Sequence, residues 1–360
     1  MRGAIAAGHP LTAEAGARVL KSGGNAVDAC IAAACAAFVT EGPLTGPAGG
    51  GFLLVHVGGR ATLLDCFFAV PTEPLGEIEH LTVDFGSTTQ SYHVGDGSIA
   101  VPGLLAGLSE AHARFGQMPW QELVEPAIEL ARAGVDVSEA QRFLHEILVA
   151  VLQRDEGGRR IYADAGHLDT SDLAATLERV RDDPAAAVRE LLPELQGDLD
   201  SYLPIDRAPL RATSEDREVL TTPRPSRGGA IVAAALADFS GSTSLDDRAR
   251  ALRAAYGADS LGGITGTTHV SVIDAAGNAA GLSSTLGAGS GVHRGGTQLN
   301  NMLGEFDIIG RGELVPGERL ASMMTPTLVL EEGRPRLMLG SAGSVRLSGA
   351  IAQVVDAVLR

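Results

Sequence analysis

Gly266-Thr267-Thr268-His269-Val270-Ser271-Val272-Ile273-Asp274 alternates as a strand from Thr267 onward, and Asn278–Thr285 alternates again after the turn Ala275-Ala276-Gly277. Folded about Ala276, the two runs make a hairpin whose open end sets Thr267 opposite Thr285. Directly opposed residues on one face of such a pair stand about 5 Å apart, so two hydroxyls can meet there. A threonine after a glycine, faced by a second hydroxyl, has the parts of a self-cleaving N-terminal nucleophile. The Thr267 hydroxyl would attack the Gly266 carbonyl, and the freed α-amine would then serve as the base for its own hydroxyl. The plainer reading is a threonine-rich hairpin with no chemistry, and the pattern alone favours it.

Outward from this hairpin the chain alternates between helical and extended stretches. Thr12–Leu20 reads as a helix stopped by Ser22-Gly23-Gly24, and Asn25 caps a longer apolar helix reaching about Phe38. The glycine-rich loop from Gly42 to Gly51 feeds two strands, Phe52–Val57 and Ala61–Asp65, joined by Gly58-Gly59. A helical middle follows Val101-Pro102-Gly103 and includes Leu104–Phe115 and Trp120–Ala133. Residues 154–220 are charged and read as helical or irregular. Pro223–Gly229 is a rigid loop before a helix over Ala230–Phe239, and the chain closes with a strand (Leu337–Leu339), a glycine loop and a helix (Leu347–Leu359). Two distant hairpins with helices before, between and after them predict an α/β (α+β) fold of layered sheets with helices outside. The stop at Arg360, without a C-terminal cap, reads as a truncated product or fragment.

The chain has 360 residues and 37.0 kDa, enough for a substantial core. Hydrophobic residues make up 45% but aromatics only 4%, so Ala, Val, Leu and Ile must build that core. The net charge of −16 argues against nucleic acid or an anionic membrane as a partner. Cys30, Cys35 and Cys66 show neither metal spacing nor an even count, and buried free thiols are expected. Neither a signal-peptide core nor a bilayer-length apolar run is visible, which predicts a cytoplasmic protein, with a secreted or periplasmic parent left open if the N-terminus was trimmed.

The loop Gly46–Gly51 lacks the lysine of a phosphate cradle, since Phe52 and Leu53 follow it. No Gly-x-Ser-x-Gly elbow occurs, and the nine histidines lack metal spacing, so neither a metal nor another cofactor is expected. Gly340-Ser341-Ala342-Gly343-Ser344-Val345-Arg346 lies between a strand and a helix, where backbone N–H groups can hold a developing oxyanion or simply make a βα turn. Asn300–Phe306 is a polar loop with one carboxylate, Glu305, suited to a substrate amine.

These motifs together resemble the γ-glutamyltransferases (glutathione hydrolases), which are N-terminal nucleophile (Ntn) hydrolases. The matching strings begin with His9-Pro10-Leu11, Glu14-Ala15-Gly16 and Gly23–Ala29, then Gly49-Gly50-Gly51-Phe52 and Val101-Pro102-Gly103. Pro119-Trp120, Pro126-Ala127, Gly228-Gly229 and Thr267–Val272 follow. Gly277-Asn278-Ala279, Leu299-Asn300-Asn301, Met324-Thr325-Pro326-Thr327 and Gly340–Arg346 complete a series in the family's order over nearly the whole chain. The resemblance implies a four-layer αββα sandwich with a helical insertion in its N-terminal part. It also implies a precursor that cleaves itself into a large portion (1–266) and a small portion (267–360), which stay together as a heterodimer.

Residue by residue, the resemblance makes Thr267 the nucleophile and new N-terminus, with cleavage after Gly266. Thr285 becomes the threonine that contacts its hydroxyl, Gly343 and Ser344 the oxyanion amides, and Glu305 the holder of a substrate amine. The departures lie in substrate recognition. Phe67, in Asp65-Cys66-Phe67-Phe68-Ala69-Val70-Pro71, stands where the family has the arginine that grips the glutamyl α-carboxylate. Gly287 stands for an asparagine, Met302 for a glutamine, and of a serine pair Ser322 is kept while Met323 replaces the second. The expected function is a self-processing amide hydrolase or acyltransferase acting on a small-molecule amide, γ-glutamyl or less polar. The competing expectation is an unprocessed, non-catalytic homologue or fragment.

Overall fold

The computed structural model describes residues 3–84, 89–239, 244–257, 266–310, 313–343 and 346–359. Strand β1 (Gly3–Ala6) leads through helices α1 (Pro10–Lys21) and α2 (Ala26–Thr40) into the hairpin β2 (Gly50–Val57) and β3 (Arg60–Cys66). A second hairpin, β4 (Glu79–Asp84) and β5 (Thr89–Val94), precedes α3 (Leu104–Phe115) and α4 (Trp120–Ala133). The insertion that follows holds β6 (Val135–Asp136), α5 (Glu139–Leu152), α6 (Glu156–Ile161), β7 (His167–Leu168), α7 (Ser171–Asp182), α8 (Pro184–Leu191) and α9 (Gln196–Ser201). Three strands come next, β8 (Ile205–Arg207), β9 (Leu210–Ser214) and β10 (Arg217–Thr221), and then helices α10 (Gly228–Phe239) and α11 (Leu245–Tyr256). The long hairpin β11 (Gly266–Asp274) and β12 (Ala279–Gly287) leads to the short pair β13 (His293–Arg294) and β14 (Thr297–Gln298) and the single turn α12 (Phe306–Ile309). Strands β15 (Thr327–Glu331) and β16 (Arg334–Leu339) and helix α13 (Leu347–Leu359) end the fold.

Two sheets form the centre. One has six strands in the order β1-β11-β12-β2-β3-β8, the other four in the order β16-β15-β10-β9. Alternation along each strand sends side chains to opposite faces, which gives the layers their contents. Leu53, Val55, Leu64, Val270, Val272 and Leu282 face α1–α4 and α7, in a core with the fully buried α2. Phe52, Leu54 and Leu63 on the other face meet Leu220, Leu328 and Met338 of the four-stranded sheet. That sheet packs its outer face, with Val219 and Val329, on α10, α11 and α13. The result is the αββα sandwich expected from the sequence, with the helical insertion between α4 and β8.

Local chemistry explains why the elements start where they do. The His9 ring accepts the Leu11 N–H (3.2 Å) at the start of α1, with Pro10 at its first turn. Asn25 and Asp28 form a reciprocal capping box on α2. Asp274 closes the β11–β12 turn by accepting the Ala276 and Asn278 N–H groups (both 2.9 Å), and its second oxygen takes the Ala26 N–H (3.0 Å). One carboxylate thus ties the hairpin to the front of α2. All fifteen residues of α2 are buried, and its alanines let the helix lie close on the sheet, as the low aromatic content requires. The three thiols are free and buried, and burial pushes each up to about 12.

Most expected helices match within two or three residues. The stretch 154–220 differs, because it ends in β8–β10, which complete one sheet and half of the other. Hairpin β4–β5 also had no sequence expectation. Among the described residues no helix is long and apolar enough to cross a membrane.

Candidate active site

The β11–β12 hairpin pairs Thr268 with Ser284, His269 with Ser283 and Val270 with Leu282, the register the sequence predicts. At its open end the register slips. Gly266 pairs with Gly287, so Thr285 and Leu286 stand together against Thr267, a bulge on β12. The Thr285 hydroxyl donates to the Gly266 carbonyl and accepts the Gly287 N–H at 2.8 Å. In the unbroken chain the second hydroxyl therefore sits on the carbonyl next to Thr267 rather than on the Thr267 hydroxyl. Both threonines are buried.

Strand alternation divides the neighbours of this end. Thr268 shares the helix-facing side with Val270 and Val272, while Thr267 shares the inter-sheet side with His269 and Ser271. The loop between α2 and β2 braces the hairpin: Leu44 accepts the Leu286 N–H (3.1 Å), and the Thr45 and Ser284 hydroxyls meet at 2.9 Å. Gly50 pairs with Thr285 from the neighbouring strand. The glycine run therefore brings backbone up to the hairpin end.

Beyond the bulge, Asn301 accepts the Ala288 and Gly289 N–H groups (2.8 and 3.1 Å), and Glu305 also accepts from Ala288 (2.9 Å). Gly287, with φ +71°, makes this crowding possible; a Cβ there would lie 2.2 Å from Asn301 Oδ1 and 3.1 Å from Glu305 Oε1. Glu305 is thus one residue from the pair that carries the Gly266 carbonyl. A cavity of about 290 Å³ opens beside it, walled by Tyr92, His93 and Phe306. The His93 ring meets Phe306 edge-on at 4.5 Å and His80 at 4.7 Å. Burial, and then the Glu305 charge, raise the Tyr92 phenol. Hairpin β4–β5, invisible in the sequence, supplies this wall.

Phe67, expected at the acyl pocket, is buried in the inter-sheet core. Its ring stacks on Phe52 (5.3 Å) and meets Phe68 edge-on (5.0 Å). Met323 is likewise buried, among Val219, Ile231 and Leu347 on the helix side of the smaller sheet. Ser322 is buried close to the segment after β3 that carries Phe67: Leu320 donates to Phe68 (3.0 Å), and the Ser322 hydroxyl accepts the Met324 N–H (3.0 Å). Gly343 has φ +118° and accepts the Arg346 N–H (3.2 Å) ahead of α13. Ser344, the second expected oxyanion amide, lies outside the described residues. The structure thus brings Gly266, Thr267, Thr285, Gly287 and Glu305 together and sets Phe67 and Met323 into cores.

Two residues at this end were missed. His269 is partly buried, with Nδ1 2.8 Å from Ser283 Oγ and Nε2 2.8 Å from Ser271 Oγ, and Gly340 runs against its ring. Burial pushes its pKa down to about 3, so the ring is neutral. Glu41 accepts the Thr268 hydroxyl at 2.5 Å and the Thr12 hydroxyl at 3.0 Å, and burial raises its pKa. Its signal was present in the sequence: an acid after the twelve apolar or small residues Ala29–Thr40. Among the described residues no group of three or more His, Cys, Asp or Glu is placed to hold a metal ion.

The gamma-glutamyltranspeptidase family model matches residues 12–189 and 243–360. The chain belongs to this family. A glutathione hydrolase proenzyme of Pseudomonas aeruginosa is 29% identical over 98% of this chain and 79% of its own length. An acylase ACY 1 proenzyme of Pseudomonas sp. (strain V22) matches at the same identity and coverage. Among solved structures, a cephalosporin acylase from Bacillus halodurans superposes with a TM-score of 0.81 at 20% identity, over 98% of this chain and 80% of the other, which shows the shared fold. The protein is accordingly an enzyme of the Ntn-hydrolase type, a hydrolase or acyltransferase, and these relatives do not favour a non-catalytic module. Its relatives are named as proenzymes, in keeping with processing into subunits.

Proposed function

We propose that Thr267 is the nucleophile of a self-processing amidase or acyltransferase, released by cleavage of the Gly266–Thr267 bond. The observation that carries this reading is the Thr285 hydroxyl on the Gly266 carbonyl at a bulge beside Thr267. The Thr267 oxygen attacks that carbonyl carbon, and the charge that develops on the carbonyl oxygen is met by a hydrogen bond already in place. The C–N bond breaks, and the hydroxyl proton ends on the Thr267 nitrogen. Water then hydrolyses the ester, which leaves a carboxylate on Gly266 and a free amine and hydroxyl on Thr267. The amine now takes the hydroxyl proton as the oxygen attacks a substrate amide. The amine product leaves, and water or a second amine resolves the acyl-enzyme.

The products of self-cleavage are residues 1–266 and 267–360. They stay paired, because β11 lies between β1 and β12, and β12 pairs with β2. The Gly343 N–H and that of Ser344 are assigned to the substrate oxyanion, and Glu305 to an amine on the acyl group. The acyl group is less polar than glutamate. Phe67 in the aromatic stack offers no guanidinium, Met323 no hydroxyl and Gly287 no side chain, while an acylase stands among the relatives.

A denaturing gel with N-terminal sequencing tests the first claim. Two bands meeting at Gly266/Thr267, and one full-length band for Thr267→Ala, are expected; a single band from both proteins refutes it. For the second claim, γ-glutamyl-p-nitroanilide is compared with aliphatic and aromatic acyl anilides. Efficient γ-glutamyl turnover would overturn the altered specificity.

A further inference from the structure

Glu41 occupies a position that local physics disfavours. It follows the last residue of α2, where its N–H donates to Ala37, so its carboxylate stands at the negative end of the helix dipole. It is also buried, and the partners of its carboxylate are two neutral hydroxyls, Thr268 and Thr12. Both circumstances oppose a charge there. The neighbourhood is nevertheless built around it. A Cβ on Gly8 would lie 2.2 Å from Glu41 Oε2, so a larger residue there would displace the carboxylate from this position. Gln141 of α5 holds the Thr40 carbonyl at 2.5 Å and so fixes the helix end. Residues that violate a local rule while their surroundings accommodate them are found where a site needs them.

The loop that begins at Glu41 touches both strands at the cleavage end. Its side chain holds Thr268 of β11, Leu44 holds Leu286 of β12, and Thr45 meets Ser284. Thr268 follows Thr267 on β11, and Leu286 is one of the two bulge residues of β12 that face Thr267. We propose that Glu41 is a positioning residue for self-cleavage: through Thr268 it fixes the first residues of β11 and keeps the Thr267 hydroxyl against the Gly266 carbonyl. This rests on Thr267 being the nucleophile. The reacting bond depends on alignment within about an ångström, so a freed Thr268 lets the hydroxyl drift out of attacking range.

The test follows self-cleavage by gel over time for wild type, Glu41→Gln, Thr268→Val, Thr268→Ser and the double variant Glu41→Gln/Thr268→Val. Expected are a loss of rate of roughly tenfold or more in Glu41→Gln and Thr268→Val, near-normal cutting in Thr268→Ser, and a double variant no slower than Thr268→Val alone. A purely structural role would lower the melting temperature without this coupling. Should Glu41→Gln fail to fold, Thr268→Val breaks the same contact from the other side. Wild-type rates in Glu41→Gln or in Thr268→Val, or losses that multiply in the double variant, overturn the inference while the proposed function stands. An uncut wild-type chain defeats both.

Discussion

Replacing Thr285 by valine removes one hydroxyl and little else. Valine keeps the branched shape, so β12 and its pairing with Gly50 should persist. Two hydrogen bonds go: the one to the Gly266 carbonyl and the one accepted from Gly287. The second loss leaves a buried N–H unpaired, at a cost of about 1–3 kcal/mol. A domain stable by about 5–15 kcal/mol tolerates that. The first loss acts on rate. Removing one preorganised donor from a developing oxyanion typically costs about 10²–10³-fold, or about 2.7–4 kcal/mol of barrier. Thr285→Val should therefore fold and self-cleave about a hundredfold or more slowly, whereas Thr285→Ser should cut near the normal rate. The assay is a time course of full-length and cleaved bands from freshly purified protein, with circular dichroism to confirm the fold. A folded Thr285→Val that cuts as fast as wild type would refute the role given to this hydroxyl.

Other expectations concern the surrounding residues. Gly287→Asn sets a Cβ 2.2 Å from Asn301 Oδ1 at positive φ, so a strain of roughly 1–3 kcal/mol should lower the melting temperature and the turnover together. Phe67→Arg buries a charge inside an aromatic stack; expression should yield aggregated protein, and no γ-glutamyl turnover should be gained. His269, held at about 3, favours the folded state above the ordinary histidine range and loses that contribution as the pH falls from about 6.5 towards 3. Urea midpoints should therefore fall less between pH 7 and 5 for His269→Gln than for wild type. Glu41 has the opposite sign, since its raised pKa favours folding at low pH and is unfavourable above it. Glu41→Gln should accordingly melt no lower than wild type at pH 7, and any advantage should shrink as the pH is lowered towards 4.5.

The hairpin register was legible because side chains alternate with period two and Ala275-Ala276-Gly277 leaves little choice of turn. The bulge was not, because no local pattern encodes it. Leu286 is held there by Leu44 and by Asn301, which donates to its carbonyl at 3.1 Å, and both come from distant segments. Strands β9 and β10 hid behind their charges: Arg211, Arg217 and Glu218 read as solvated surface, while Val219 and Leu220 are the buried apolar residues. Phe67 shows another limit. Alignment with a binding arginine identified the position, but an apolar side chain at that position turns into the core. Glu41 was readable as an acid ending an apolar helix, and only the fold reveals that it reaches Thr268.

The placement of β11 inside the larger sheet, between β1 and β12, has a consequence for the life of the protein if the cutting proposed above takes place. An intact chain that unfolds can return by an intramolecular search. Once the link before Thr267 is broken, the same sheet can be rebuilt only when two separate chains meet, each exposing edges made to pair with the other. Assembly of this sheet is then a single-use event, directed by a tether that the reaction itself removes. The mature enzyme should keep its form by slow unfolding rather than by reversible equilibrium, and heating it once should be final.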